Sequence, residues 1–133
     1  RLTPYYGGLA SVMPIYVLIF LVFTMANIGL PGTSSFVGEF LILTGSFKVN
    51  TSITFLGATS MMIGGGYSLW LFNRIAYGNL KIQHMSKFLD LNLRECLSFL
   101  PLLLGTLITG IYPDIFLTSI HMSVNNLIEL LYF

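Results

Sequence analysis

Asn27-Ile28-Gly29-Leu30-Pro31-Gly32-Thr33-Ser34-Ser35-Phe36-Val37-Gly38-Glu39-Phe40 sets a helix breaker and then a single carboxylate inside strongly apolar sequence. No charged residue occurs from Leu2 to Gly38, so Glu39 is the first formal charge after Arg1. Ionisable side chains in a bilayer core are costly. They usually face a bundle interior or a water-filled path, where they relay ions or protons. Glu39 is therefore the candidate centre of a membrane proton or cation conduit.

The breaker follows from its residue types. Pro31 disfavours helical geometry at Leu30, and the flanking glycines tolerate almost any backbone angle. Upstream, residues 12–30 carry no charge and come close to the roughly 20 residues needed to cross about 30 Å of hydrocarbon. They are the first expected span, and Pro14 in its opening turn costs little because the first helical amides have no intrahelical partner. Downstream, Thr33, Ser34 and Ser35 offer N-cap oxygens to a new helix. That second segment, residues 33–47, is short: from Ser34 to Phe47 it reaches only about 21 Å at 1.5 Å per residue. A broken or partly re-entrant segment fits better than a hairpin of two equal spans. Irregular backbone survives at membrane depth only inside protein or around a water-filled cavity, so the opened backbone and Glu39 are expected to share one polar pocket. Asn27, Thr33 and Ser35 are candidates to orient Glu39 or its waters, although helix capping explains them equally well.

The rest of the chain has the same character. Its 133 residues have a mean hydropathy of +0.83 and are 55% hydrophobic and 8% charged, against about a quarter charged in an ordinary soluble domain. Lys48, Asn50, Thr51 and Ser52 read as a polar loop, followed by a third span at residues 52–74. Ser60, Gly64 and Ser68 form a small-residue stripe along which another helix can approach, and Tyr67, Trp70 and Tyr77 resemble an interfacial aromatic belt. Residues 75–95, with Arg74 before them, hold most of the basic side chains and include His84, a solvated loop histidine. The positive-inside rule turns this loop to the cytoplasm or mitochondrial matrix and puts Arg1 and Lys48 on the other side. Its end, residues 87–95, alternates charged and apolar positions and suits a short interfacial helix. A fourth span covers residues 96–112, with Gly105, Thr106, Thr109 and Gly110 as a second small-residue face. In residues 114–133, Phe116, Ile120, Val124, Leu127 and Leu131 recur at helical spacing opposite Thr118, Asn125 and Glu129. This tail, including His121, reads as an amphipathic helix on the membrane or on a partner subunit.

The composition also excludes several functions. A net charge of +1 without a basic cluster argues against nucleic acid, and the single cysteine, Cys96, has no partner for an internal disulfide. No phosphate-binding Gly-rich loop, no His or Cys pair at metal spacing and no nucleophile with a nearby base is present. The chemistry is confined to one acid and its surroundings.

Asn27-Ile28-Gly29-Leu30-Pro31-Gly32-Thr33 with Phe36-Val37-Gly38-Glu39-Phe40, preceded by Tyr6-Gly7-Gly8-Leu9 and followed by Tyr67-Ser68-Leu69-Trp70 through Arg74 and Gly78, carries a resemblance. The chain resembles the C-terminal part of the chain 4 family of NADH:ubiquinone oxidoreductase, respiratory complex I, in its plant and algal mitochondrial versions. Ser86 to Asp90 and Gly110 to Pro113 extend the likeness. The resemblance implies an all-α membrane protein of the mitochondrial inner membrane: the last four transmembrane helices of an antiporter-like subunit, one of them short or broken, plus a C-terminal amphipathic helix. It implies that Glu39 matches the glutamate of a broken helix that ends a chain of buried lysines, histidine and waters. Those upstream groups would belong to the N-terminal part of chain 4, and the other partners would be neighbouring membrane-arm subunits. The first residues of this chain are then expected to abut another antiporter-like polypeptide. No cofactor or metal is expected in the chain itself, with NADH, FMN, iron-sulfur clusters and ubiquinone held by other subunits. Two other readings remain. One is a subunit of a multisubunit cation/proton antiporter or membrane-bound hydrogenase. The other is a structural membrane piece in which Glu39 is merely ion-paired.

Overall fold

The computed structural model describes residues 6–80 and 89–132 of the chain. Within them the secondary structure is helical: α1 (Leu9–Val12), α2 (Pro14–Ile28), α3 (Ser34–Val49), α4 (Thr51–Ala76), α5 (Leu93–Ile111) and α6 (Asp114–Tyr132). Among the described helices, α5 alone is both long and apolar enough to cross a membrane, and α2 is apolar but shorter.

α4 is the rail on which the fold is laid. Val17 on α2 packs with Phe72, Ala76 and Leu9 in one buried cluster, Phe20 lies 5.5 Å from Phe72, and Ile28 approaches Gly65 so closely that a Cβ there would stand 3.3 Å away. Rising positions on α2 thus meet falling positions on α4, which makes the pair antiparallel. α3 repeats the relation farther along, where Thr54 Oγ1 donates to Ser46 Oγ at 3.1 Å. α2 and α3 therefore run in the same direction, end to end along one partner, with their junction opposite the middle of α4. The segments over residues 12–30 and 33–47 form one interrupted passage.

α5 lies on the other flank and runs with this passage. The rings of Phe23 and Phe99 are 6.4 Å apart, and farther on Gly110 lies against the backbone of Gly32 and Thr33. The broken helix is thus held between an antiparallel and a parallel neighbour.

Several expectations change on this frame. Because the break does not reverse the chain, Gly8 reaches the far end of α4, where its N–H donates to the Tyr77 carbonyl at 3.2 Å. Gly8 thus lies at the end of α4 that leads into Tyr77, and Lys48, in the last turn of α3, lies at the opposite end; Arg1, expected on the Lys48 side, lies outside the described residues. The polar loop after α3 shrinks to Asn50, whose side-chain oxygen caps α4 by accepting from Ser52 N at 3.0 Å and Ile53 N at 3.3 Å. The contact stripe on α4 runs through Gly65, Ser68, Phe72 and Ala76 rather than Ser60, Gly64 and Ser68, since Ser60 is exposed. The Ser68 hydroxyl stays on its own helix, donating to the Gly64 carbonyl. Of the interfacial helix expected over residues 87–95, the first two lie outside the described residues and residues 89–92 are not helical. α5 starts at Leu93, where the Asn92 N–H donates to Glu95 Oε2 at 3.0 Å. The expected solvated His84 also lies outside the described residues. Cys96 is half-buried in the first turn of α5.

Candidate functional site

The junction of α2 and α3 can be read residue by residue. Gly29 adopts φ 82, and its N–H donates to Ala26 O at 3.2 Å while the Leu30 N–H donates to Met25 O at 3.1 Å. These paired bonds are the Schellman ending of a helix, whose left-handed residue is usually glycine. The next four residues make a tight turn: Thr33 N–H donates to Leu30 O at 3.0 Å, with Pro31 and then Gly32 at φ 95 between them. Proline followed by a positive-φ glycine is the signature of a type II turn. Two glycines and a proline therefore stop one helix and re-aim the chain within five residues.

Glu39 is the sixth residue of α3, yet its carboxylate lies back at the junction. Helical side chains lean toward their own N-terminus, which carries a long acid from more than one turn inside α3 to the end of α2. A Cβ on Gly29 would lie 3.0 Å from Glu39 Cδ and would overlap Oε2. Gly29 thus has two roles: its positive φ ends α2, and its missing side chain is the space the carboxylate occupies. The acid sits between the negative end of one helix dipole and the positive end of the next. Glu39 is half-buried.

The supporting candidates separate. Thr33 is 4% exposed, and its hydroxyl donates to Leu30 O at 2.7 Å. It makes no side-chain cap to α3, so the expected N-cap is instead a clasp that closes the type II turn. Asn27 is exposed and Ser35 half-buried. Among the described residues neither side chain forms a hydrogen bond, to Glu39 or elsewhere.

Two features escaped sequence reasoning. Gly110 of α5 touches the junction through backbone: a Cβ there would overlap the Gly32 carbonyl oxygen and come 2.6 Å from the Thr33 carbonyl carbon. The small-residue face on α5 signalled close approach in general, but not its target. The second is Asp90, whose carboxylate accepts from Ile15 N at 3.2 Å and Tyr16 N at 3.4 Å, and from Leu91 N at 2.8 Å. It caps α2 from 75 positions away in sequence, and no local pattern announces that. Partial desolvation pushes its carboxyl up, but the Leu91, Ile15 and Tyr16 amides together hold it below the usual aspartate range. Among the described residues, no group of three or more His, Cys, Asp or Glu comes together as a metal site would require.

Comparison with known proteins gives this junction its context. Residues 1–64 match the family model described as NADH:quinone oxidoreductase/Mrp antiporter, TM. The chain is 54% identical over 129 residues to NADH-ubiquinone oxidoreductase chain 4 of Marchantia polymorpha, covering 97% of this chain and 26% of that protein. It is 48% identical over 131 residues to the chain 4 protein of Chondrus crispus, covering 98% and 27%. To NADH-quinone oxidoreductase subunit M of Rhodobacter capsulatus it is 44% identical over 124 residues, covering 93% and 24%. The chain spans about a quarter of the length of these relatives. With such identity along nearly its whole length, it belongs to the NADH-ubiquinone oxidoreductase chain 4 family.

Proposed function

We propose that the chain is part of a proton-translocating membrane-arm subunit of NADH:ubiquinone oxidoreductase in the mitochondrial inner membrane, with Glu39 as a proton relay. The observation that carries this is the seat of the Glu39 carboxylate on Gly29, between the facing ends of two half-helices. Interrupted helices of this kind present backbone dipole ends to ions at membrane depth, where regular helices offer none. In such a seat a carboxyl can take up a proton and pass it on as the charge around it changes. The chain itself performs no redox chemistry and holds no cofactor. NADH oxidation, through FMN and iron-sulfur clusters, and ubiquinone reduction belong to other subunits, and the remaining N-terminal part of chain 4 and neighbouring antiporter-like subunits complete the proton path. The loop over residues 75–95 faces the matrix, together with the start of α2.

Glu39→Gln in the assembled complex tests this reading. The amide keeps the shape and the seat on Gly29 but has no exchangeable acid proton, so pumping and the coupled quinone reduction are expected to fall together by about a hundredfold or more, the lower end for loss of a positioned proton-transfer group. Glu39→Asp is expected to retain part of both. Native electrophoresis establishes that the complex still assembles. A glutamine variant that assembles and pumps at the wild-type rate per NADH contradicts the relay and favours the ion-paired structural role. Pumping by the wild type that proceeds without NADH oxidation and follows a sodium or potassium gradient would favour the cation/proton antiporter.

A further inference from the structure

We infer that Asp90 and Gly110 are positioning residues that hold the broken helix in the register at which Glu39 rests on Gly29. The inference rests on the relay role proposed for Glu39. Both lie beyond residues 1–64, the stretch that the family model matches, and they flank α5 at opposite ends. At one end Asp90 receives the Ile15 and Tyr16 amides, two of the donors in the first turn of α2 that no helical carbonyl can satisfy. At the other, Gly110 lies against the Gly32 and Thr33 backbone, where only a residue without a side chain permits the approach. Between them the Phe23 and Phe99 rings meet at a tilt of 53°, their centroids 6.4 Å apart.

α5 is thus a splint fastened at both ends of α2. An interrupted helix needs one, because the hydrogen bonds that keep a continuous helix straight are missing at the break. If either fastening is lost, α2 can slide or tilt against α3, and the Gly29 seat moves away from the Glu39 carboxylate. Misplacing a reacting group by about 1 Å can cost up to about a hundredfold in rate.

The test uses the full subunit in the assembled complex, with Asp90→Ala, Asp90→Asn, Gly110→Ala and Glu39→Gln side by side. Pumping and NADH oxidation are measured per assembled complex across pH. Asp90→Ala and Gly110→Ala are expected to assemble, to lose pumping severalfold, and to shift the pH dependence of turnover in the same direction. Asp90→Asn should rescue part of the loss, because Asp90 receives the two α2 amides on separate oxygens and the one amide oxygen of asparagine still accepts from one of them. Wild-type pumping and an unmoved pH profile in both Asp90→Ala and Gly110→Ala overturn the inference, as does an asparagine variant no better than alanine. If Asp90→Ala does not assemble, the Gly110→Ala profile decides alone. A silent Glu39→Gln variant defeats the relay reading itself, whereas a defective Glu39→Gln beside silent Asp90 and Gly110 variants defeats only the splint.

Discussion

The two halves of the interrupted helix have opposite surroundings. α2 buries Val17, Ile19 and Ala26, with α1 and α4 joining it around Val17 and Phe72. α3, of nearly the same length, buries none of its residues, and Phe40, Leu41, Ile42 and Phe47 remain exposed. Yet α3 carries the acid and α2 only supplies its seat. The difference teaches how the work is divided: the more buried half fixes the position of the site, and the half that bears the charge leaves an apolar face uncovered within this chain. In lipid there is no hydrophobic drive to cover such a face, so any helix packed on it under the proposed function would be held by close van der Waals fit and polar contacts.

The contrast can be broken most strongly at Gly29. In Gly29→Ala the added methyl must share space with Glu39 Oε2, and a non-glycine residue at φ 82 costs about 1–2 kcal/mol on its own. Relay activity is expected to collapse nearly as far as in Glu39→Gln, while Gly38→Ala, where the new methyl meets nothing within 4 Å of this chain, leaves pumping close to wild type. Pumping assays on the two variants check this, and equal activities would mean that the seat does not matter.

A smaller effect is expected at Thr33. Thr33→Val keeps the volume of a side chain that is 4% exposed but removes the hydroxyl that closes the turn on Leu30 O. A buried hydrogen bond of this type contributes about 0.5–1.5 kcal/mol, so the thermal midpoint of the subunit in detergent should fall modestly and pumping should decline in part. Ser35→Ala, with no hydrogen bond among the described residues, should change neither.

The α2 side of the comparison is sharpened by Gly65→Ala. The methyl would meet the Ile28 Cγ2 methyl at 3.3 Å, a branch that the helix holds to one rotamer, so Ile28 must shift by a few tenths of an ångström. The expected loss of stability is below that of Thr33→Val, partly offset by the roughly 1 kcal/mol gain in helix propensity of alanine over glycine. A larger loss would show that the α2–α4 contact is rigid.

The smallest effect is a pH dependence at Asp90. Its carboxyl titrates below the usual range, so the folded protein binds this proton less readily than the unfolded chain does. The cap therefore contributes fully above the unfolded value and is lost as pH falls through the folded one. Amide exchange at Ile15 and Tyr16 should show the same protection at every pH above about 5 and lose it only on stronger acidification. A loss of protection near neutral pH would mean that another group controls the cap.

How much of this was legible follows from whether a feature is local. The all-helical membrane character, the stop at Gly29-Leu30-Pro31-Gly32 and the singularity of Glu39 are properties of adjacent residues, and composition and turn chemistry expose them. The direction of α3 is not local. A type II turn does not by itself say whether the next helix doubles back or continues, and only packing along α4 decides it. Thr33 was misread for a related reason: a threonine beside a helix start can cap forward or clasp backward, and Pro31-Gly32 favours the turn behind it. The joining of Asp90 to α2 and of Gly110 to the junction depends on contacts across 74 or more positions, beyond any local pattern.

The central claim is that the carboxyl seated on Gly29 gains and loses a proton as the complex turns over. Infrared difference spectra of the assembled complex, recorded during NADH-driven turnover, test this most directly. They should contain a carboxylic C=O stretching band that appears and disappears with turnover, shifts in deuterium oxide and is missing from Glu39→Gln. A Glu39→Gln spectrum identical to wild type in that region, from complex that assembles normally, would contradict the account.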